Sequence, residues 1–179
     1  RAAEVPCPEL ARRLEGVGDP APLLAHARRV LDRKGQVRDD ASARLVELRR
    51  QVQGARERLY ARLETLGAAH REALGEDTIP MRGGRLMLVV QAGARGRLPG
   101  LVHGRSASGR SFYFEPLEVV EENNTLQGAV EEQEAERRRI LAELLAALAA
   151  ELPLVERLAE LLAEVDALEA ALRFGREIG

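Results

Sequence analysis

Along residues 43–74 apolar positions return every three or four residues: Leu45, Leu48, Val52, Ala55, Leu59 and Leu66, with Leu63 close to the same stripe. That period puts them on one face of a helix and predicts a rod that pairs through a single seam, as in a coiled coil. Ser42 stands where an N-cap belongs, because its hydroxyl can accept a free backbone N–H of the first turn. At 1.5 Å per residue the rod would run roughly 45–50 Å. Gly54 weakens it by about 1 kcal/mol relative to alanine without breaking it.

A second long pattern covers residues 117–150, with Val119, Leu126, Val130, Ile140, Leu144 and Leu148 on its seam and Asn123, Gln133 and Arg137 interrupting it. Pro153 marks a break, since an interior proline removes a helix hydrogen bond. A last helix is predicted over 154–174, with a seam of Leu158, Leu161, Val165, Leu168 and Leu172. Ahead of the rods, PELARRLEG and PLLAHARRVLDRKG read as two short helices of a base, each closed by glycine or a turn. His26, alone on the second, reads as structural or solvated.

Between the rods the alternation changes to period two. GRLMLVVQA, RLPGLVHGR and RSFYFEP read as three strands joined by GARG and SASG turns, a three-stranded antiparallel meander. Phe112 and Phe114 share one face and are expected to pack onto the rods, leaving Tyr113 facing out. The expected architecture is mainly α. It comprises a helical base (1–37), a first lever helix (38–77), a small β tip (78–116), a second lever helix (117–152) and a C-terminal core helix (153–179). The levers form a long antiparallel, coiled-coil-like pair.

Composition supports helices over a large aromatic core: 45% of residues are hydrophobic but only 3% aromatic. A net charge of −2 excludes a uniformly basic nucleic-acid binder, so any such role must come from local charge. The charge is segregated. Residues 38–72 hold eight Arg against four Glu and two Asp, whereas 118–151 hold nine Glu against three Arg, which favours pairing of the rods. The tip carries Arg82, Arg85, Arg95, Arg97, Arg105 and Arg110 against the single acid Glu115. Arginine forks onto phosphate, so a polyanion is the expected partner of that tip. A solvated strand edge, charged to block aggregation, is the alternative. Tyr113 is a candidate for stacking on bases and His103 for a phosphate contact. Ser106, Ser108 and Gly109 read as turn residues, and Ser106 has no Asp/His arrangement that would make it a nucleophile.

Cys7 is the only cysteine, which excludes an internal disulfide and a cysteine zinc site and fits a reducing, cytoplasmic setting. Lys34 is the only lysine. No apolar run is long enough for a transmembrane helix, so no membrane partner is expected. The chain opens at Arg1 rather than Met and reads as a piece of something longer. It contains no GxxxxGK[ST] phosphate loop and no His/Asp/Glu cluster at metal-ligand spacing, so neither a catalytic residue nor a metal ligand is expected.

The stretch RLMLVVQAGARGRLPGLVHGRSASGRSFYFEPLEVVEENNTLQ resembles the centre of the bacterial MutS-two proteins, paralogues of the mismatch-repair MutS ATPases. Their pattern is close to VHDVSASGATLFIEP followed by a VVELNN-like run. This chain matches it at Val102, His103, Ser106, Ala107, Ser108, Gly109, Phe112, Phe114, Glu115, Pro116, Val119, Val120, Glu121, Asn123 and Asn124, with Phe112 and Phe114 apolar for apolar. VLDRKGQVRDDASARLVELRR resembles the segment leading into that family's lever, and the resemblance covers most of residues 25–175. Gly104 stands where the family usually has Asp, and Arg105 and Arg110 replace small or apolar residues. The resemblance implies a non-catalytic core, lever and clamp-like region of a dimeric DNA-binding ATPase. ATP and Mg would be bound by a separate domain, and a nuclease domain often follows. It implies binding of branched DNA, suppression of homologous recombination and rescue of collided ribosomes, with RNA as a further partner. The alternative is a structural helical scaffold or dimerisation module with no nucleic-acid contact of its own.

Overall fold

A computed structural model describes residues 12, 18–94, 96, 98–106 and 109–178. Its elements in chain order are α1 (Ala21–Val30), α2 (Ala43–Ala69), β1 (Leu74–Glu76), β2 (Met81–Arg82), β3 (Arg85–Leu86), β4 (Leu88–Gln91), β5 (Gly100–Arg105), β6 (Ser111–Pro116), α3 (Val120–Ala150) and α4 (Leu152–Ile178). The described residues divide into two units, one of Asp39–Arg139 and one that gathers those before Asp39 with those from Ile140 onward. The PELARRLEG pattern lies outside the described residues except for Arg12, which is helical.

In the unit of Asp39–Arg139, the seam of α2 is buried along its whole length: Leu45, Leu48, Val52, Ala55, Leu59, Leu63 and Leu66. Ser42 caps the helix as its position predicts, its Oγ accepting from the Leu45 N–H at 2.9 Å. The same hydroxyl donates to Glu136 Oε1 at 2.7 Å on α3. Arg44 meets Glu132 at 2.7 Å and Arg62 meets Glu118 at 3.2 Å. Partner numbers fall as α2 numbers rise, so α2 and α3 run antiparallel here. Such exposed pairs give about 0–1 kcal/mol each. The apolar cluster that joins Leu59, Leu63 and Leu66 to Val119 and Leu126 holds the pair together.

α2 stops at Ala69, short of the expected Leu74. The chain turns through Arg71–Ala73 and enters the sheet as β1, with Ala73 buried beneath it. The predicted meander is corrected. The sheet has four antiparallel strands in the order β1-β4-β6-β5, and β2–β3 form a separate hairpin. Eight residues, 92–99, separate β4 from β5, too many for a tight turn between neighbours. β6 therefore returns between them, where Leu88 pairs with Phe114 and Val90 with Phe112. Those cross-strand pairs share a face. From it Leu88, Val90 and Phe114 join the helix cluster. The predicted first strand splits at Met87, because its first half turns back at Gly83–Gly84. Both glycines have positive φ, +56° and +80°, as a two-residue hairpin turn requires. Gly100 permits a close approach: a Cβ there would lie 2.4 Å from both the Glu115 carbonyl oxygen and the Phe114 ring.

In the other unit, Asp19 Oδ1 accepts from the Ala21 N–H at the start of α1. After α1 the chain makes a turn at Asp32–Gly35, closed by a bridge between Leu31 and Val37. The helical path breaks at Glu151 and resumes as α4, with Pro153 in its first turn, where the missing N–H costs nothing. Ile140, Leu144 and Leu161 are buried. The expected seam of α4 is otherwise only partly covered, with Val165, Leu168 and Leu172 exposed. No helix of the described residues is long and apolar enough to cross a membrane.

Candidate nucleic-acid interface

The tip's arginines separate into two sets. Arg85 is turned inward. Its Nε donates to Glu115 Oε1 at 2.9 Å and Oε2 at 3.0 Å, and its Nη2 lies 2.7 Å from Oε1. Nη2 also donates to Asn124 Oδ1 at 2.9 Å and to the Val120 carbonyl at 3.3 Å. His103 Nε2 meets Glu115 Oε2 at 2.7 Å. An ionised carboxylate only accepts, so the imidazole hydrogen sits on Nε2. Asn123 completes the cluster: its Nδ2 donates to Glu115 Oε1 at 2.9 Å and to the Leu86 carbonyl at 3.0 Å. Its Oδ1 accepts the Leu86 N–H at 2.9 Å. One amide side chain thus satisfies both backbone groups of Leu86, as a neighbouring strand would.

Glu115 and Asn123 are fully buried. Burial pushes the Glu115 carboxyl up. The hydrogen bonds from Arg85 and His103, the Arg85 charge and the Asn123 amide more than offset this, so the group stays below the ordinary carboxylate range. The arrangement is a polar clasp joining β3, β5, β6 and the first turns of α3.

His103 reaches Glu115 because of a bulge. Val102 pairs with Phe114 and Gly104 with Tyr113, which leaves His103 as the extra residue of β5. Gly104 takes φ +153°, a conformation that side chains rarely adopt. Ser106 and Gly109 act as turn residues, as their types predict. Ser106 Oγ accepts from the Ser111 N–H, and Gly109 has φ +70°. Pro116 pairs with Gly100 and ends β6 before Leu117–Val119. Ser108, Arg95 and Arg97 lie outside the described residues.

The second set faces solvent. Arg82, Arg105 and Arg110 are exposed. The Arg82 guanidinium lies 4.0 Å from the centroid of the half-buried Tyr113 ring, and Arg105 lies 5.2 Å from that of Phe112. Phe112 and Phe114 are buried, and Tyr113 faces outward relative to them. A concavity of about 690 Å³ opens at the end of the sheet beside Arg110, lined also by Gly75, the acidic Glu76, Gln91 and Gly93. Among the described residues, no three His, Cys, Asp or Glu side chains come together as a metal site would need.

A scan against protein-family models matches none. Among curated proteins, Endonuclease MutS2 of Thermus thermophilus is 35% identical over 170 residues, which is 95% of this chain. Endonuclease MutS2 of Pelotomaculum thermopropionicum is 31% identical over 99% of the chain, and that of Geobacillus thermodenitrificans 36% over 84%. The chain is homologous to a region of the MutS2 family. It spans about a fifth of these relatives, 20–23% of their length.

Four of the fifteen residues that carried the MutS2 resemblance, His103, Glu115, Asn123 and Asn124, belong to the clasp. Arg85, His103 and Asn123 converge on Glu115, Asn124 accepts from Arg85, and Phe114 anchors the same strand to the helices. Of the residues expected on a nucleic-acid surface, Arg85 is turned toward the buried carboxylate and His103 bonds to the same carboxylate while remaining exposed. Sequence reasoning named Asn123 as an interruption of a seam and as part of the resemblance, without assigning it a partner. Two signals were available: a lone acid in a basic stretch, and an amide at an apolar helix position. Either implies a buried partner.

Proposed function

We propose that this chain is the lever and clamp-like tip of a MutS2 protein, a non-catalytic region that contacts nucleic acid through the sheet end of the unit Asp39–Arg139. One observation carries the reading. The only acid in residues 78–116, Glu115, is buried against Arg85, while Arg82, Arg105 and Arg110 are exposed. No acid of the same stretch therefore stands at its surface beside these arginines, and Arg95 and Arg97 belong to that stretch too. Such a surface attracts phosphates and releases counterions. The partner class is DNA, branched in the first instance, with structured RNA such as ribosomal RNA as the competing target. ATP hydrolysis and any endonuclease step belong to other parts of the parent protein, which acts as a homodimer.

Fluorescence anisotropy with duplex DNA, a four-way junction and structured RNA tests this at low and physiological salt. Replacing Arg82, Arg95, Arg97, Arg105 and Arg110 with Gln is expected to weaken binding and flatten the slope of log K against log salt. The change should be ~0.9 per lost phosphate contact on duplex DNA. Binding and slope unchanged in that variant would sink the reading.

The exposed seam of α4 favours a second reading, a scaffold that self-associates. Leu162, Leu168, Leu172 and Phe174 stand in solvent. Under it, Leu168→Asp shifts sedimentation toward monomer and leaves nucleic-acid binding untouched.

A further inference from the structure

The Tyr113 ring is already covered by a planar cation. Arg82 lies 4.0 Å from its centroid, and this arginine is exposed, on a hairpin turned by Gly83–Gly84. Its long stem allows the guanidinium to leave the ring while the backbone stays in place. The flank of the ring is open as well. Gly104 is the residue paired with Tyr113 on the edge strand β5, and a Cβ there would meet nothing within 4 Å. Any side chain at that position, a carboxylate above all, would crowd or repel an incoming nucleotide. On its other side Tyr113 pairs with buried Val89, which fixes the strand that carries the ring.

We infer that Tyr113 is a stacking platform for one unpaired base of single-stranded nucleic acid, and that Arg82 is the placeholder which the base displaces. The inference rests on the cationic-tip reading and adds the strand class and the contact. A base stacked on an aromatic ring is held more strongly than an exposed guanidinium over the same ring. The released Arg82 then forks onto the adjacent phosphate, so the exchange gains at both ends. In an intact duplex each base is already stacked on its neighbours. The platform therefore selects unpaired segments, such as those at a junction or in a loop.

The chain reports on this itself. It has two tyrosines, Tyr60 and Tyr113, and no tryptophan, so Tyr60→Phe leaves Tyr113 as the sole source of tyrosine emission. In that background, oligothymidylate is expected to bind and to quench Tyr113 emission, while an abasic oligonucleotide of equal length binds more weakly and leaves emission unchanged. Tyr113→Leu is expected to weaken oligothymidylate binding roughly tenfold and to leave the abasic strand unaffected, with Tyr113→Phe restoring the difference. Equal affinity for the two strands without quenching overturns the platform and makes the Arg82 contact a staple of the hairpin, with the cationic tip still standing. If neither strand nor any duplex binds at low salt, both readings fall. The quenching arm uses the native ring, so it stays decisive if Tyr113→Leu does not fold.

Discussion

The seams of α2 and α4 read alike along the chain and end in opposite environments. Leu59 and Leu63 on α2 are fully buried, whereas Leu168 and Leu172 on α4 are 59% and 65% exposed. The repeat states only that a helix face is apolar. What covers that face is decided by elements distant in sequence. For α2 the cover is α3 together with one face of the sheet, gathered in the cluster that includes Leu126, Leu88 and Phe114. Under the self-association reading, such an uncovered leucine row is the contact surface.

The sharpest way to break the comparison is to unbalance the clasp, which has no counterpart around α4 among the described residues. Glu115→Ala leaves the Arg85 guanidinium beside Asn124 and Val120 without its carboxylate. The expected cost is about 3–5 kcal/mol, read as a fall in the urea midpoint. A loss under 1 kcal/mol would show that water replaces the carboxylate readily. Next comes the pair of seams themselves. Leu63→Ala should cost about 2–5 kcal/mol through lost burial and a cavity, while Leu168→Ala should stay within about 0.5 kcal/mol. Equal costs in chemical unfolding would mean that the α4 seam is covered in solution.

The smallest effect is acid-dependent. Glu136 lies on α3 between Ser42 and Arg139. Hydrogen bonds from those two lower its pKa from 4.5 to about 2, against an opposing push from burial. A depressed carboxylate stabilises the fold fully above its unfolded value and loses that contribution as pH falls through the folded value. Stability should therefore decline between about pH 4.5 and 2, by on the order of 1 kcal/mol once screening at half-exposed Arg139 is allowed for. Glu136→Gln should remove that part of the decline in a pH series of unfolding curves. Glu115, also depressed, keeps its own share of the acid sensitivity.

Much of the fold was legible because it rests on local rules. The Ser42 cap, the seven-residue seam of α2, the break before Pro153 and the strand character of β5 and β6 follow from periodicity and from single residues with narrow backbone preferences. β1 was not legible: three residues, Leu74–Glu76, continue a helical pattern and become a strand only because β4 offers an edge. Nor was the strand order, since alternation fixes which face a residue takes but not which neighbour it pairs with.

The candidate site divides along the same line. Sequence alone determined that the tip is basic, that Glu115 is its only acid, and that Tyr113 faces away from Phe112 and Phe114. Only the tertiary structure decided which charges remain for a partner. It placed Glu115, fully buried, within reach of Arg85, His103 and Asn123, residues up to 38 positions apart in the chain. A buried carboxylate must be matched where it stands. Arg85 was recruited inward to match it and His103 matches it from the surface, where Arg82, Arg105 and Arg110 also stand.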